Sequence, residues 1–562
     1  MTEEIPIPAA ADRFGRNPAA HLTALGMIVA FCVVNLWLCH RKYLTLDVTH
    51  FDLLHVLQFY GYVREGGFSN LINHEPYLFF AVIQEPSHLL GILTFVLWRG
   101  PYGLFALQTL YFGVGFYLVY RILVFGIGRP WVALAPLAGL LANPYLWCFA
   151  SLGFRPNLSA IPFFLAFVYL DQRGKKQTAL MMLILAGLAK LTLMFSFSIM
   201  GLGFWLFRLD KRNGRRIFLW CLAIFLAMGI GSAIAKNVLH LTITTDRMHL
   251  SAYGETAGEV VTTLLTKPGV VLGEVINTAN LANVLFMASF AFLPLLGGRY
   301  LLCLVSEFGL VLLSTTSLQA ETHFNNVYPR FLDPLVYVHN NHFYLTGIVM
   351  ATYAVGMVAL WRFATAKQPR WPAEAFVGGV SVLMLVLGIF WPALIGGPKP
   401  LNIHFDKRYY TQSRHDRTIW RLTQDLRPNE VVRSQWNLFP KGVWTAKQTR
   451  DLEWNRDNID EDAIVLDLYT FEYLMDRREF LEFVQEMLAR PDYGVVVFED
   501  GFLMLRRNAP RDQNGEIEAY IERNWDLLMS NFYRPYRDAF VPEPTVGDGI
   551  YSPTQTRFGQ DF

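Results

Sequence analysis

Long apolar stretches alternate with short polar ones over the first two thirds of the chain. About 20 apolar residues are needed for an α-helix to cross the ~30 Å hydrocarbon core of a bilayer. Stretches of that length, or nearly so, fall at about 21–39, 103–124, 131–148, 157–171, 177–191, 193–207, 217–236, 283–297, 299–316, 342–363 and 374–396. The pattern predicts about 11 transmembrane helices within residues 21–397, after a polar N-terminus of residues 1–20.

Basic residues in the short connections set the predicted orientation, because cytoplasmic loops carry an excess of arginine and lysine. A chain that starts inside and crosses at each stretch keeps one group of basic residues cytoplasmic: Arg121, Arg129, Arg173, Lys175, Lys176, Arg208, Lys211, Arg212, Arg215, Arg216, Arg299, Arg362, Lys367 and Arg370. The N-terminus is then cytoplasmic and the chain after residue 397 is extracytoplasmic. Outer loops are expected at about 40–102, 237–282 and 317–341.

Two further segments complete the predicted organisation. His88–Trp98 is apolar but too short to span, which predicts an interfacial helix on the outer leaflet. In the second outer loop, Thr256-Ala257-Gly258-Glu259 has capping-box spacing, so a helix is expected to begin there and to end before Pro268.

The pattern changes to that of a mixed α/β domain over residues 398–508. Ala463–Leu468 and Gly494–Phe498 have the continuous apolar pattern of buried strands, with an amphipathic helix over Arg478–Arg490 between them. Asp500-Gly501 lies between two apolar runs and predicts a β-hairpin. Residues 509–562 are polar, then rich in proline, glycine and aromatic residues, and predict an extended tail that orders only on a partner.

Composition agrees with this organisation and excludes several functions. Only 17% of the residues are charged, against roughly a quarter in soluble domains, so lipid is the missing solvent. A net charge of +2 without a basic block gives no electrostatic basis for nucleic-acid binding. The five cysteines all lie in apolar runs, which argues against a disulfide framework or a thiolate metal site. Phosphate-binding glycine loops, HExxH and nucleophile elbows are absent from the sequence.

Short polar motifs occur in a fixed order along nearly the whole chain: Phe51-Asp52-Leu53 with Gln58, His88, Leu107-Gln108, Phe154-Arg155-Pro156-Asn157, Lys190, Tyr253-Gly254, Lys267-Pro268, His342-Phe343-Tyr344, Arg427-Pro428-Asn429-Glu430-Val431, Val465-Leu466-Asp467 and Gly501–Arg507. In order and spacing they resemble the DUF2079 family of membrane proteins, which is grouped with the GT-C glycosyltransferase superfamily. Phe51-Asp52-Leu53 with Gln58 resembles an FDLGxxDQ-like segment of that family. Phe154-Arg155-Pro156-Asn157 resembles its FHPE-like motif, and Lys190 lies where the family has a KED-like one.

The chain departs from these motifs at acidic and histidine positions. Leu57 replaces the second acid of the FDLGxxDQ-like segment. Arg155 and Asn157 replace the histidine and glutamate of the FHPE-like motif, while Leu191 and Thr192 replace the acids of the KED-like one. The resemblance therefore implies a GT-C-like fold with fewer polar site residues.

What the resemblance implies is a glycosyltransferase homologue of a bacterial-type inner membrane. Such an enzyme uses a sugar linked to polyprenyl phosphate on the extracytoplasmic face. GT-C enzymes place an acid in the first outer loop, which implies Asp52 as the catalytic base and Asp47 as the second choice. Either acid could instead cap a loop helix or pair with Arg41 or Lys42.

Lys190 and Arg155 are predicted at the outer ends of their spans, where they would bind the phosphate of the lipid. A charge inside a membrane protein faces a partner or a cavity rather than lipid. Snorkelling to the headgroups is the alternative for both. His88 and Gln58 complete the predicted substrate-binding set. Glu307, within the ninth apolar stretch, is either a structural interhelix contact or part of a pathway.

A second hypothesis gives the chain no catalysis. A GT-C-like scaffold or accessory subunit would bind membrane-protein partners through its exported domain and C-terminal tail, and the missing acids favour it. A transporter is third, since no inverted repeat is visible. The cofactor is unknown; a divalent cation stays open because no ligand motif is present, and no metal ligand is assigned.

Overall fold

The computed structural model describes residues 17–44, 85–98, 100–151, 153–237, 257–276, 286–321, 345–366, 372–394, 414–427, 430–435, 448–450, 459–469 and 477–530, with isolated positions between some of these ranges. The chain divides into two compact units. We name the first, formed by Met1–Trp37, Leu78–Gln319 and Arg330–Ile403, the membrane unit. The second, formed by Leu38–Tyr77, Ala320–Pro329 and His404–Phe562, is the α/β unit.

The membrane unit is built from helices. In chain order they are α1 (Pro18–Leu44), α2 (His88–Leu97), α3 (Pro101–Ile127), α4 (Pro130–Leu141), α5 (Pro144–Ser151), α6 (Ala160–Gln172), α7 (Lys176–Gly187), α8 (Leu191–Leu206), α9 (Lys211–Asn237), α10 (Ala257–Thr266), α11 (Pro268–Val275), α12 (Leu301–Glu321), α13 (Leu345–Ala366) and α14 (Ala373–Leu394). The last residues of α1 and of α12 belong to the α/β unit. A 3-10 helix, Pro156–Ser159, precedes α6.

Four helices among the described residues are long and apolar enough to cross a membrane: α1, α3, α13 and the Lys211–Gly231 part of α9. The pair α4 and α5, bent by 64°, makes a fifth if it counts as one span. Shorter apolar helices include α2, α7, α8 and the Ala373–Leu387 part of α14. The chain is thus a mostly helical, multi-pass membrane protein, while the number of about 11 spans remains a prediction.

The predicted span at 283–297 is wrong as a single regular helix over its described part. Ala291 and Phe292 both have positive φ, 51° and 55°. A left-handed backbone at two residues with side chains interrupts a right-handed helix. Short 3-10 helices follow at Leu293–Leu296 and Gly298–Tyr300. Apolar composition alone had suggested a span, because it carries no information on these backbone angles.

Close helix packing in the membrane unit depends on small residues. A Cβ on Gly201 of α8 would meet the backbone nitrogen of Phe218 in α9, and one on Gly214 would meet the backbone of Trp205. Two helix backbones can approach this closely only where side chains are absent. These glycines therefore fix α8 against α9.

A buried ionic cluster ties three connections together at one end of the membrane unit. The Asp171 carboxylate, fully buried, lies 2.8 Å from Lys176 Nζ, pairs with Arg299 and accepts a 2.6 Å hydrogen bond from Tyr300. Lys176 also lies 2.8 Å from Asp210. The connections at 173–175, 207–210 and 298–300 therefore lie together, as the positive-inside pattern requires of loops on one side. We call this group the Asp171 cluster.

The α/β unit contains a five-stranded sheet in the order β2-β1-β3-β5-β4, with β1 at Val431–Ser434, β2 at Gln448–Arg450, β3 at Ala463–Asp467, β4 at Tyr493–Glu499 and β5 at Phe502–Arg507. Strands β1, β2 and β3 are parallel, and β5 is antiparallel to both β3 and β4. Its helices are α15 (Arg414–Leu422), α16 (Arg477–Ala489), α17 (Asn514–Arg523) and α18 (Trp525–Ser530).

Several sequence predictions for this unit are confirmed. The strands expected at 463–468 and 494–498 are β3 and β4, and the helix expected between them is α16. The hairpin turn is Asp500-Gly501, with φ of 51° and 74°. Two consecutive positive φ angles match the twist of an antiparallel pair.

The described part of the predicted tail of residues 509–562 is largely helical rather than extended. Residues 514–530 form α17 and α18, which bury Ile517, Tyr520, Ile521 and Leu528 in the same core as β3 and α16. The spacing of these four residues is helical, and the polar residues between them obscured it in the sequence. Residues 531–562 of the predicted tail lie outside the described residues.

Candidate functional site

A buried hydrogen-bond network joins α1, α3 and α5 in the membrane unit. Gln108 in α3 donates through Nε2 to the carbonyls of Phe149 (3.2 Å) and Ala150 (3.0 Å). Its Oε1 accepts a 2.7 Å hydrogen bond from the backbone N–H of Arg155. Asn35 in α1 donates to Thr109 (2.9 Å) and also to Ala150 (3.2 Å). These bonds pair side-chain amides with backbone carbonyls inside the unit. The bond from Arg155 to Gln108 also fixes the backbone of Arg155 against α3.

Arg155 is buried, with 8% of its surface exposed, and precedes the 3-10 helix that leads into α6. Its backbone is extended (φ −129°, ψ 115°), as expected for a residue before a proline. Pro156 then begins the helical turn, where its missing N–H costs nothing. The local sequence thus places a guanidinium at the positive end of a helical segment.

Lys190 occupies the equivalent position before α8. Its backbone is also extended (φ −160°, ψ 141°), and the helix begins at Leu191. The two helices α6 and α8 run in the same direction, because α7 connects them through two short connections. The Phe164 and Phe197 rings stack 5.3 Å apart near their first turns. The beginnings of α6 and α8, with Arg155 and Lys190, therefore lie at the same end of the unit.

His88 joins this end through α2. The backbone N–H of Ser87 donates to the carbonyl of Leu188, two residues before Lys190, at 3.3 Å. His88 is the first residue of α2 and is 2% exposed, with Nε2 3.6 Å from the Glu85 carboxylate. Helix α2 also contacts the Pro156–Ser159 turn. The structure thus brings the starts of three helices, and with them His88, Arg155 and Lys190, into one region. We call this the helix-start region.

Glu307 in α12 adds an acidic group to the inner side of α8. Its side chain is fully buried and lies within electrostatic range of Lys190. Ser196 is 2.9 Å from Ser306. A buried acid within range of Lys190 is the kind of partner that a charge inside a membrane protein requires.

The other predicted site residues lie outside the described residues. Asp52, Asp47 and Gln58 all fall there, so the roles assigned to them stay predictions. Arg41 and Lys42, the proposed partners of those acids, are in the last turn of α1, where Lys42 is buried. Within the described parts of the chain, no group of three histidine, cysteine, aspartate or glutamate side chains could hold a metal ion.

A second buried group of titratable side chains lies in the α/β unit. His415 of α15 is fully buried, with Nε2 3.0 Å from Asp467 and Nδ1 3.2 Å from Asp500. Two carboxylates facing both ring nitrogens require both nitrogens to carry a proton. Burial alone would lower the pKa of His415, but the charges of Asp467 and then Asp500 raise it to about 9. We call this the His415 cluster.

The His415 cluster sits at the carboxyl edge of the sheet. Asp467 ends β3, and Gln435, just after β1, accepts a hydrogen bond from the Asp467 backbone N–H. Asp500 follows β4, which is parallel to β3. All three members are buried, so no substrate reaches them directly and the cluster holds α15 on the sheet.

Sequence reasoning missed the Asp171 cluster, Asn35 and the His415 cluster. Asn35 had a usable signal, since it is the single amide in the apolar stretch 21–39. Asp171 closes the stretch 157–171 as a lone acid beside three basic residues, Arg173, Lys175 and Lys176. His415, Asp467 and Asp500 are 33 to 85 positions apart, and nothing in the local pattern links them.

Together, the described helices and sheet define a multi-pass, mostly helical membrane protein that carries a small mixed α/β unit. No protein-family model matches the sequence, and no curated protein matches it. Among solved structures the chain is similar to ArnT from Cupriavidus metallidurans in the apo state, with 12% identity and a TM-score of 0.43 over 86% of this chain and 98% of that one.

Proposed function

We propose that the chain is a GT-C-like glycosyltransferase homologue that binds a polyprenyl-phosphate-linked sugar at the extracytoplasmic face of a bacterial-type inner membrane. The observation that carries the proposal is the convergence of His88, Arg155 and Lys190 in the helix-start region. Helix beginnings carry partial positive charge and open N–H donors, so they favour phosphate. A guanidinium and an ammonium beside them add charge-assisted hydrogen bonds to phosphate oxygens.

The chemistry of transfer assigns complementary roles to these residues. Arg155 and Lys190 hold the phosphate and stabilise the charge that develops on it as the leaving group. His88, oriented by Glu85, contacts the polar head of the lipid. Asp52 removes a proton from the acceptor hydroxyl, since a base is needed when that oxygen attacks the sugar. Glu307 keeps Lys190 directed into the unit.

Binding of a labelled polyprenyl phosphate to the purified chain tests this proposal. Lys190→Gln and Arg155→Gln are each expected to weaken binding about tenfold or more, because a hydrogen bond to a charged group contributes roughly 1.5–3 kcal/mol. Arg215→Gln, an exposed charge in the first turn of α9, is the matched control and should bind as wild type does. The uncharged polyprenol should not distinguish the variants.

Asp52→Asn separates the enzyme from the scaffold hypothesis. If Asp52 is the base, this variant keeps lipid binding and loses sugar transfer. Equal binding of the polyprenyl phosphate by wild type, Lys190→Gln and Arg155→Gln would contradict the proposal. Stoichiometric membrane-protein partners that depend on residues 531–562 would then support the scaffold.

A further inference from the structure

Helices α10 and α11 expose apolar side chains in a segment that had been expected to form part of an outer loop. The exposed residues are Val261 (55%), Leu265 (79%), Val270 (40%), Leu272 (56%) and Ile276 (76%). Helix α10 buries Thr263 on the opposite face from Val261 and Leu265, and α11 buries no residue at all. The two helices therefore present their apolar side chains away from the protein.

Such helices are not stable against water. Isolated helices shorter than about 12–15 residues are marginal in water, and most helical stability comes from burying an apolar face. Helix α11 has eight residues, and none of them is fully buried within the membrane unit. An apolar phase or a partner must therefore cover it.

Both ends of the segment are fixed to the same place on α12. The Tyr253 hydroxyl donates to the carbonyl of Leu313 at 3.0 Å, and Asn280 Nδ2 donates to the carbonyl of Leu312 at 2.9 Å. Tyr253 and Asn280 are themselves 2% and 4% exposed. The chain thus leaves α12 before α10 and returns to it after α11.

We call the Leu312 and Leu313 carbonyls, which hold Asn280 and Tyr253, the anchors. Their position along α12 gives their depth in the membrane. Helix α12 begins at Leu301, directly after Arg299 and Tyr300 of the Asp171 cluster. With a rise of 1.5 Å per residue, Leu312 and Leu313 lie about 18 Å further along the axis. The hydrocarbon core is about 30 Å thick, so a helix close to the membrane normal places both anchors inside it.

Carbonyl groups at the end of α11 find hydrogen-bond partners within the protein, as hydrocarbon requires. Asn280 Nδ2 also donates to the carbonyls of Glu274 and Val275 at the end of α11, both at 3.0 Å. In α10, the Thr262 hydroxyl donates to the carbonyl of Gly258 and that of Thr266 to the carbonyl of Thr262. Both threonine hydroxyls thereby donate their protons to carbonyls of their own helix, so they can lie in hydrocarbon without water.

We propose that residues 257–276 form a lipid-embedded hairpin in the outer leaflet, with the exposed side chains of α10 and α11 in contact with acyl chains. The length of α10, about 15 Å, carries the chain from the anchors to the headgroup level. Lys267, at the corner between the helices, then places its ammonium among the lipid phosphates. This proposal is independent of the enzyme assignment, since it needs only the membrane.

Thiol reactivity of single cysteine variants tests it in the full chain. Leu265→Cys and Leu272→Cys are compared with Leu226→Cys on the exposed face of α9, a candidate span, and with Glu522→Cys on the exposed side of α17. Each variant is reconstituted into phosphatidylethanolamine and phosphatidylglycerol vesicles. A polar maleimide is loaded on both sides by freeze–thaw, and wild type gives the background of the five native cysteines.

The hairpin positions should react like Leu226→Cys and at least about tenfold more slowly than Glu522→Cys, because a thiol in hydrocarbon is screened from the reagent and stays neutral. Reaction of Leu265→Cys and Leu272→Cys at the rate of Glu522→Cys would overturn the proposal. Protection in native membranes that is lost in the vesicles would also overturn it, and would identify a protein as the covering partner.

Discussion

The Asp171 cluster and the His415 cluster are both buried groups of opposite charges, yet they use different cations. In the membrane unit, Lys176 and Arg299 balance Asp171 and Asp210, and they are 33% and 24% exposed. In the α/β unit, the cation between Asp467 and Asp500 is a fully buried histidine. Lysine and arginine keep their charge over the whole range in which proteins fold, whereas histidine does not. The first cluster is therefore a permanent clamp and the second a pH-dependent one.

Loss of Asp171 gives the largest expected effect. Asp171→Asn leaves Lys176 and Arg299 with Asp210 alone and weakens the contact with Tyr300. Removal of one partner from a buried ion pair costs about 3–5 kcal/mol. Thermal unfolding in detergent should show the same loss of stability at pH 6 and at pH 9. Lys211→Gln, at an exposed position at the start of α9, is the control and should change little. A destabilisation that appears only at one pH would contradict a permanent clamp.

The His415 cluster predicts a pH dependence of the opposite kind. The pKa of His415 is raised to about 9, above the ordinary value of 6.5 that applies in the unfolded chain. The contribution of the His415 charge to the free energy of unfolding is therefore fully present below about pH 6.5, and it is lost as the pH rises through about 9. A shift of that size corresponds to about 3 kcal/mol.

Proteolysis between pH 6 and pH 10 reports unfolding of the α/β unit and so measures how the stability contributed by His415 changes with pH. Wild type should lose stability relative to His415→Gln over that range, with the difference between them shrinking toward pH 10. A wild-type minus variant difference that stays constant from pH 6 to pH 10 would show that His415 does not act as a buried cation.

Two glycines give the smallest and most closely matched comparison. Gly174, next to the Asp171 cluster, and Gly501, in the turn that carries Asp500, have φ of 75° and 74°. A Cβ at Gly174 would meet open space, whereas one at Gly501 would lie 2.7 Å from the Tyr469 ring. Gly174→Ala should cost about 1 kcal/mol from backbone strain alone. Gly501→Ala should cost clearly more. Thermal unfolding in detergent measures the cost of Gly174→Ala and proteolysis of the α/β unit that of Gly501→Ala, and equal costs would mean that Tyr469 moves aside freely.

The sequence predicted those parts of the fold that depend on local pattern. Apolar runs located β3, β4 and most helices, and Asp500-Gly501 located the hairpin, because these signals act over a few residues. The break at Ala291-Phe292 was missed, since apolar composition does not reveal a left-handed backbone. The helices of 514–530 were missed because their apolar spacing is diluted by charged residues.

The candidate site was predicted only as separate residues. Arg155, Lys190 and His88 were chosen by resemblance and by their place at the ends of apolar stretches, and their convergence depends on tertiary packing of α2, α6 and α8. The hydrogen bond from Ser87 to Leu188 joins residues 101 positions apart, and that from Asn35 to Ala150 joins residues 115 positions apart. Such contacts form only when helices pack, so no local pattern encodes them.

The last turns of α1 have a practical consequence for work on the α/β unit. Leu38–Leu44 belong to that unit, where the carbonyl of Leu44 accepts a 2.7 Å hydrogen bond from the Trp420 indole and Tyr43 packs on the same ring at 5.3 Å. A soluble fragment beginning at residue 404 would leave Trp420 without either contact. Expression of the unit by itself therefore calls for joining residues 38–77 and 320–329 in front of residue 404, so that the fragment follows the boundaries of the fold rather than a single stretch of sequence.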